Sequence, residues 1–469
     1  MGLKPNLSIL LSSLLLSGCA LKRAQYKPPT APAVNAASKW NTPLAGGETG
    51  ETADNASLSK WWSVFNDPTL TSLEERAIKA NLDLSVAESQ IAQARATRDY
   101  SAANLYPTVT GSLSSSGTKN SLRSGGSVTH SNSANLDASW EPDFFGSLHK
   151  SVAAQEATIQ YQQENLRNVM VTLTGDVALN YIDVRSYQAQ LAVTRGNLVR
   201  YRETYEMTLS KRESGLTSDL DVQQALGTVK STEALIPSLE TQLRQAYNAL
   251  AVLLNQAPGS LDAELEPVKP VPVVPSRVAV GIPGDLIRRR PDVRGIERQY
   301  LAQWMQVGVA RANLYPTFSL SGTFAFGAQN FLNMLTPASI ASTVAGSVQQ
   351  TLLNRRALKA QVHIQNALLD QDELSYESAV LGAVRDVEDA LKAFGSEQTR
   401  RESLASAAES AENAAEMSRD LYASGLKDFL TVLDSERTLL SAQNNLVQSD
   451  ATVAADLVRL YKAMGGGWQ

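Results

Sequence analysis

The chain has 469 residues and carries 42 basic against 47 acidic side chains, a net charge of −5 at pH 7. This balance excludes the basic surface on which nucleic-acid binding depends. The three histidines, His130, His149 and His363, lie far apart in sequence, and the single cysteine cannot form an intrachain disulfide. The sequence contains neither a nucleotide-binding P-loop motif nor a catalytic constellation. We therefore expect a protein that is not an enzyme and uses no cofactor or metal.

The first eighteen residues have the features of a secretory signal peptide. Lys4 provides a positive start, and the apolar run from Leu7 to Leu16, about ten residues, is too short to span a bilayer. The run ends in Leu16-Ser17-Gly18-Cys19, which resembles a bacterial lipobox, in which the cysteine is acylated. The alternative is an ordinary leader with an incidental cysteine. We predict lipidation of Cys19, and Ala20 after it favours sorting to the outer membrane.

Residues 19–57 are rich in Pro, Ala and Thr and lack apolar periodicity, so we expect an extended segment there. Beyond it, two motifs recur with nearly the same offset. The sequence Asn-Leu-Tyr-Pro-Thr at 104–108 returns 209 positions later, and Ser214-Gly215-Leu216 returns 210 positions later around Gly425. Two unrelated motifs with one offset indicate a duplication. We predict two copies of one unit, over 58–270 and 271–469.

Each copy shows the same order of predicted elements. A helical segment comes first, then a region with strand character, then a very long helix, and then a glycine-containing break and a return helix. In the first copy these are 69–103, 105–145, 147–213 and 219–256. In the second copy they are 284–312, 314–352, 355–423 and 428–464.

The strand regions alternate between apolar and polar or small residues. The clearest case is 317–326, where Phe318, Leu320, Phe324 and Phe326 occupy even positions. Residues 135–141 and 340–352 repeat the pattern, and 107–114 shows it more weakly. Alternation over about ten residues has the length of a tilted membrane strand. The alternative is a soluble sheet with one hydrated face, which fits an exported, lipidated and otherwise helical chain less well.

Two strands from each copy make four strands per chain, which cannot close a barrel. Because open sheet edges are not tolerated in lipid, a membrane sheet of this kind must be completed by other copies. A trimer would provide about twelve strands. The strand count alone does not distinguish a trimer from a dimer or a tetramer.

The long helices show a coiled-coil pattern. Two rows with a seven-residue spacing are interleaved in the first, and they comprise Met170, Val177, Val184, Leu191, Leu198 and Tyr205, and Leu166, Leu173, Asn180, Tyr187, Thr194 and Tyr201. The second carries an apolar row from Val380 to Phe394 and then becomes alanine-rich through Ala415. At about 1.5 Å per residue, such a helix extends about 100 Å. A solid stalk and a tube with a wet inner wall both fit this pattern.

Six motifs in order, over almost the whole chain, resemble the TolC-like outer-membrane efflux proteins, specifically the OprM-type (NodT) lipoproteins of tripartite pumps. They are Tyr26-Lys27-Pro28-Pro29; Trp61-Trp62 with Phe65, Asp67-Pro68 and Leu70; Asn81 with Asp83-Leu84 and Ala94-Arg95; Trp140-Glu141-Pro142-Asp143-Phe144-Phe145-Gly146; Pro283-Gly284-Asp285-Leu286-Ile287-Arg288-Arg289-Arg290-Pro291-Asp292-Val293; and Ala463-Met464-Gly465-Gly466-Gly467-Trp468. Two departures concern the helix starts: Ser147 follows Gly146 where the family has arginine, and a glycine expected near Asn354 is replaced.

The resemblance implies a mainly α fold with a membrane β-barrel portion. Long coiled-coil hairpins of the duplicated β-α unit would form a trimeric α-barrel, topped by a roughly twelve-stranded outer-membrane β-barrel. The implied function is a passive exit duct for drugs or other small molecules. Its implied partners are two further copies, a periplasmic adaptor, an inner-membrane RND-type pump and outer-membrane lipid. The rival interpretations are a type I protein-secretion duct with the same fold and a structural coiled-coil lipoprotein without a pore.

The resemblance also implies a gate at the periplasmic helix tips, where the chain turns at Gly215 and Gly425. Leu430 would form an apolar constriction and Asp434 an acidic ring. Tyr422 and Arg437 would join the second tip to the first, through Asp221. The plainer alternative is that Asp434 and Arg437, three residues apart on a helix, simply pair on a solvated face.

A second charged motif, Arg288-Arg289-Arg290, is interpreted as structural, because Pro283 and Pro291 bracket a connection between the copies. A phosphate or lipid-headgroup site is the less favoured interpretation of these arginines.

Overall fold

The computed structural model describes residues 26–29, 40–44, 48–49, 58–119, 128–275, 277–281, 288–333 and 336–468. The predicted leader, Cys19 and residues 282–287 lie outside the described residues. Contacts divide the chain into two compact units. Unit 1 contains Ser89–Gln163, Gly295–Ser378 and the described residues 26–29. Unit 2 contains Glu164–Arg294, Ala379–Gln469 and the described part of Ala31–Glu88, so each unit draws on both predicted copies.

The described helices and strands follow the predicted order twice. In chain order they are β1 (Glu48–Thr49), α1 (Pro68–Ala80), α2 (Leu82–Ala103), β2 (Thr108–Lys119), β3 (Val128–Trp140), α3 (Ser147–Glu213), α4 (Asp219–Leu253), α5 (Asp262–Leu265), β4 (Val278–Ala279), α6 (Pro291–Ala312), β5 (Thr317–Ala328), β6 (Ile340–Gln349), α7 (Arg356–Ala423) and α8 (Phe429–Ala463). The mainly helical class and the four predicted strands, β2, β3, β5 and β6, are confirmed. The remaining strands, β1 and β4, have two residues each and pair only with one another in the described structure.

The first predicted helical segment is two helices rather than one. Asn81 lies between them in an extended backbone conformation, and its side-chain oxygen accepts from the backbone N–H of Asp83 at 2.8 Å. Its amide nitrogen donates to the carbonyl of Leu253 at 2.9 Å, which fixes the break against α4. In the second copy, the described helix begins at Pro291, a residue suited to the first position of a helix because it needs no N–H partner.

Unit 1 contains an antiparallel sheet in the order β2-β3-β5-β6. Its register places Leu136 opposite Gly111 on one side and Phe324 on the other. The large apolar side chains of all four strands therefore share one face. The opposite face is polar and joined by side-chain hydrogen bonds, such as Thr323 to Asp137 at 2.7 Å. The predicted alternation is confirmed, and all four strands have 10 to 13 residues.

Ser147 and Asn354, the two positions that depart from the family pattern, do not disturb the starts of the long helices. Gly146 has φ +76° and precedes α3, and Asn354 has φ +59° and precedes α7. Asparagine is one of the few side chains that tolerate this left-handed conformation. Asn354 therefore takes the backbone role of the missing glycine.

Unit 2 is built around a core that the Trp61-Trp62 motif begins. Trp61, Trp62 and Phe65 are buried, and the Trp61 ring stacks on Tyr461 of α8 with centroids 5.5 Å apart. Asp67 caps α1 by accepting from the N–H of Thr69 at 2.8 Å, and it also accepts from the Tyr181 hydroxyl of α3 at 2.5 Å. These contacts hold α1, α3 and α8 together. Every position of the two predicted rows on α3 is buried or half-buried, which confirms the coiled-coil seam.

The arginine motif has a structural role at Arg290. Its guanidinium forms ion pairs with Asp292 at 2.8 Å and Asp386 at 3.2 Å, and it donates to the carbonyl of Ala463 at 3.0 Å. It thus ties the connection between the copies to the end of α8. The structural interpretation of the motif is confirmed at this residue.

In the part of the chain that the structure describes, no helix has an apolar stretch of the length that a membrane crossing requires.

Candidate gate at the helix turns

The two helix turns of unit 2 are built alike. Gly215 has φ +74° and Gly425 has φ +77°, a conformation that costs glycine little. At each turn, the N–H of the following leucine donates back to a carbonyl five residues earlier, at 2.8 Å in both cases: Leu216 to Lys211, and Leu426 to Leu421. This is the usual way in which a glycine closes a helix end and satisfies its last carbonyls. Each long helix therefore ends two residues before its glycine, and the return helix begins four residues after it.

The return helices begin with different caps. Ser218 caps α4 in a capping box with Asp221, whose Oδ2 accepts from the Thr217 hydroxyl at 2.5 Å and from the Ser218 hydroxyl at 2.9 Å. The hydrogen bond from Thr217 is the main cause that lowers the pKa of Asp221. Asp428 caps α8 by accepting from the N–H of Thr431 at 2.9 Å. The carboxylate of Asp221 is thus engaged within its own turn.

Tyr422 lies at the end of α7 and is buried against Phe429, Val432 and Leu433 of α8. Its hydroxyl donates to Thr208 Oγ1 of α3 at 3.3 Å. Lys211 Nζ donates to the Tyr422 carbonyl at 2.5 Å and lies 4.4 Å from the centre of its ring. Tyr422 therefore joins the second turn to the first through Thr208 and Lys211.

Arg437 makes a second link between the hairpins. Its guanidinium donates to Thr228 Oγ1 of α4 at 3.0 Å. Neither Arg437 nor Tyr422 has a hydrogen bond to Asp221 among the described contacts, and here the structure differs from the prediction. The physical reason is that Asp221 caps the first turn of α4, where its Oδ2 accepts from the hydroxyls of Thr217 and Ser218 and from the N–H of Ser218.

Leu430 and Asp434 lie one helical turn apart on α8, and both are exposed, Leu430 to 55 %. Within the described residues no ion pair joins Asp434 to Arg437, so the plainer alternative of a simple surface pair is not formed in one chain. The exposed face of α8 thus presents an apolar and an acidic side chain in line. The opposite face of this helix packs in unit 2.

Five residues of this region were not found from the sequence. Thr208 and Lys211 bind Tyr422, Thr228 binds Arg437, and Thr204 binds the carboxylate of Glu436. Threonines and lysines on a helix give no periodic signal that sets them apart from solvated positions. Among the described residues no group of three or more His, Cys, Asp or Glu side chains is placed to hold a metal ion.

A family profile described as "outer membrane efflux protein" matches residues 73–256 and 282–466. Nodulation protein T of Rhizobium leguminosarum bv. trifolii is 32 % identical over 463 residues, which cover 97 % of this chain and 96 % of that protein. The toluene efflux pump outer membrane protein TtgI of Pseudomonas putida is 30 % identical, and the match covers 97 % of each chain.

Among solved structures, the outer-membrane channel OprN superposes with a TM-score of 0.86 at 30 % identity, covering 95 % of this chain and 98 % of OprN. A matched family profile over most of the chain, relatives of full length and a common fold all lead to one assignment. The chain belongs to the outer membrane efflux protein family, and it is an outer-membrane efflux component rather than an enzyme.

Proposed function

We propose that three copies of this chain form the outer-membrane exit duct of a tripartite efflux pump for small molecules. The observation that carries the proposal is the four-stranded sheet of unit 1, which has one apolar and one polar face. Its outer strands, β2 and β6, each pair with only one other described strand. Because a sheet in lipid cannot keep open edges, copies must join edge to edge, and three copies supply about twelve strands.

The polar face of such a barrel would line a hydrated lumen. Its side chains are mostly serines and threonines, and several pair across strands, as Ser319 and Ser347 do at 2.7 Å. A neutral hydroxyl lining favours passage of many solutes over selective binding of one. A lumen of this kind fits a passive duct whose substrate choice and energy come from an inner-membrane RND-type pump, reached through a periplasmic adaptor. Residues 58–270 and 271–469 would be the two copies of the duplicated unit.

The proposed gate lies at the second helix turn. Three copies of Leu430 around one axis would form an apolar constriction, and three copies of Asp434 an acidic ring that attracts cations and repels like charge. Tyr422 and Arg437 would keep the gate shut, since they tie α7 and α8 to α3 and α4. Asp221 would support the first turn as a cap.

Conductance of the purified protein in a planar bilayer tests this proposal. We expect the wild type to be nearly closed. Asp434→Ala combined with Arg437→Ala should raise the mean conductance about tenfold, because the carboxylate ring and the bond to Thr228 are lost together. Asp420→Ala, an exposed carboxylate on α7 near the same turn, serves as the control and should stay closed. A double variant that conducts no better than the wild type contradicts the gate assignment.

A further inference from the structure

The buried face of α8 next to the proposed gate contains one carboxylate. The stripe consists of Phe429, Val432, Leu433, Glu436 and Leu439, all less than 9 % exposed. This spacing is that of the core positions of a packed helix. Glu436, at 2 % exposed, occupies a position where an apolar side chain would be expected.

Glu436 is held by side chains of two other helices. The Thr204 hydroxyl of α3 donates to its Oε1 at 2.7 Å, and the Tyr201 hydroxyl donates to its backbone carbonyl at 3.0 Å. Arg419 of α7 places its Nε 3.8 Å from the same Oε1 and also pairs with Glu203 at 2.7 Å. Burial outweighs these contacts and raises the pKa of Glu436 above its usual value.

A buried carboxylate contributes little to the stability of a protein, but it can fix how two packed helices align. Replacing such a group by a packed apolar residue is often neutral or stabilising. A polar group at a single core position instead fixes how two helices align, because any shift leaves it unpaired. Here a shift along α3 towards the turn would bring Glu436 near Thr208, whose hydroxyl already donates to the Thr204 carbonyl at 2.8 Å and so has no proton left for the carboxylate. A shift away from the turn would bring it towards Ala415 and Ala411 of α7, whose apolar side chains offer no donor.

We propose that Glu436 is the positioning residue that fixes α8 against α3 through Thr204 and thereby holds the proposed gate shut. Leu430 and Asp434 lie on the same helix within six residues, on its exposed face. The alignment of α8 therefore sets where both side chains stand. This inference rests on the proposed gate, but its contacts are formed within one chain and differ from those of Tyr422 and Arg437.

The experiment measures bilayer conductance and thermal midpoint for three variants of the full-length protein. Glu436→Leu removes the carboxylate and retains an apolar core residue. We expect its mean conductance to rise about tenfold, the effect of losing one hydrogen bond, while its thermal midpoint is unchanged or higher. Glu436→Gln retains an acceptor for Thr204, so it should stay within about twofold of the wild type.

Thr204→Val tests the same hydrogen bond from the other helix, because it removes the donor on α3 without changing α8. We expect it to leak as Glu436→Leu does, and this variant keeps the inference testable if Glu436→Leu fails to fold. A purely structural role predicts the opposite pattern, a lower midpoint with conductance unchanged, and that result overturns the inference.

The Asp434→Ala and Arg437→Ala double variant separates the two proposals. If it conducts while Glu436→Leu and Thr204→Val remain closed, the positioning role of Glu436 is wrong and the gate stands. If the double variant and both other variants remain closed, the gate assignment itself is wrong, and the inference that depends on it is wrong as well.

Discussion

At the residue scale, two buried carboxylates of unit 2 lie in contrasting surroundings. Glu436 has a hydroxyl donor and a guanidinium beside it. Glu74 of α1 is fully buried in the core, and neither of its carboxylate oxygens has a hydrogen-bond partner in the described structure. Desolvation alone raises the pKa of Glu74 well above its usual value. The folded protein therefore holds this group as the neutral acid over a wider pH range than the unfolded chain does.

Glu74 makes the stability of unit 2 depend on pH with a definite sign. Above the unfolded pKa of about 4.3, the unfolded chain releases the proton that the folded protein keeps, so stability falls as pH rises until the folded pKa is passed. Glu74→Gln has no proton to lose. Its thermal midpoint should match the wild type within a few degrees near pH 4 and exceed it increasingly towards neutral pH.

Glu75→Gln is the matched control for this prediction. The Glu75 side chain is 49 % exposed and lies 3.6 Å from Lys60 Nζ, a surface pair that contributes little. The thermal midpoints of the wild type, Glu74→Gln and Glu75→Gln, measured by scanning calorimetry from pH 4 to pH 8, test this prediction. Parallel curves for Glu74→Gln and the wild type would show that Glu74 is ionised in the folded protein.

At the scale of the element, the sheet of unit 1 places its large apolar side chains on one face and most of its hydroxyl groups on the other. On β6, Val344 is 80 % exposed on the apolar face and lies opposite Gly322 of β5. Its neighbour Thr343 lies on the polar face opposite Thr323. Large apolar side chains left so exposed on one face need an apolar surrounding, and lipid would provide it.

An arginine scan of these two neighbours tests the orientation of the sheet in the membrane. Val344→Arg should weaken the folded membrane form by about 2–4 kcal/mol for each chain, because the charge would face lipid. Thr343→Arg, with the charge in the hydrated lumen, should be nearly neutral. Urea unfolding in lipid vesicles measures both. Equal effects of the two substitutions would contradict a membrane sheet with this orientation.

At the scale of the whole molecule, two separate features point to the outer membrane: the sheet that other copies would complete in the proposed duct, and the predicted lipobox at Cys19. Twelve strands in lipid would hold a trimer without help from an acyl chain. A lipid on Cys19 would then serve mainly for sorting and for anchoring the segment over 19–57. The two contributions are separable by experiment.

Cys19→Ser should therefore impair maturation and localisation more than conductance. We expect the unprocessed leader to persist and the amount in the outer-membrane fraction to fall several-fold, as measured by fractionation and intact mass. The same variant, purified and reconstituted, should conduct within about twofold of the wild type. A reconstituted variant that no longer assembles or conducts would show that the lipid is needed for the channel itself.

The extent to which the sequence predicted this protein differs between its elements and its site. The bounds of the four long helices agree with the structure to within a few residues, because apolar periodicity and glycine turns are local signals. Asn81 shows the limit of these signals, since its break depends on the carbonyl of Leu253 far away in the chain. Asn354 shows another, since its backbone role became evident only from its φ angle.

What the sequence determined alone is the order of the long helices and strands, the faces of the strands, and the family, while the leader with Cys19 stays a prediction. What the tertiary structure decided is which side chains meet at the turns. Asp221 caps its own helix, Arg437 reaches Thr228, and Glu436 is buried against Thr204. The physical reason is that periodicity assigns a residue to a face of its helix. Which residue of a neighbouring helix lies opposite that face, and at which position along the helix axis, is set only when the helices pack.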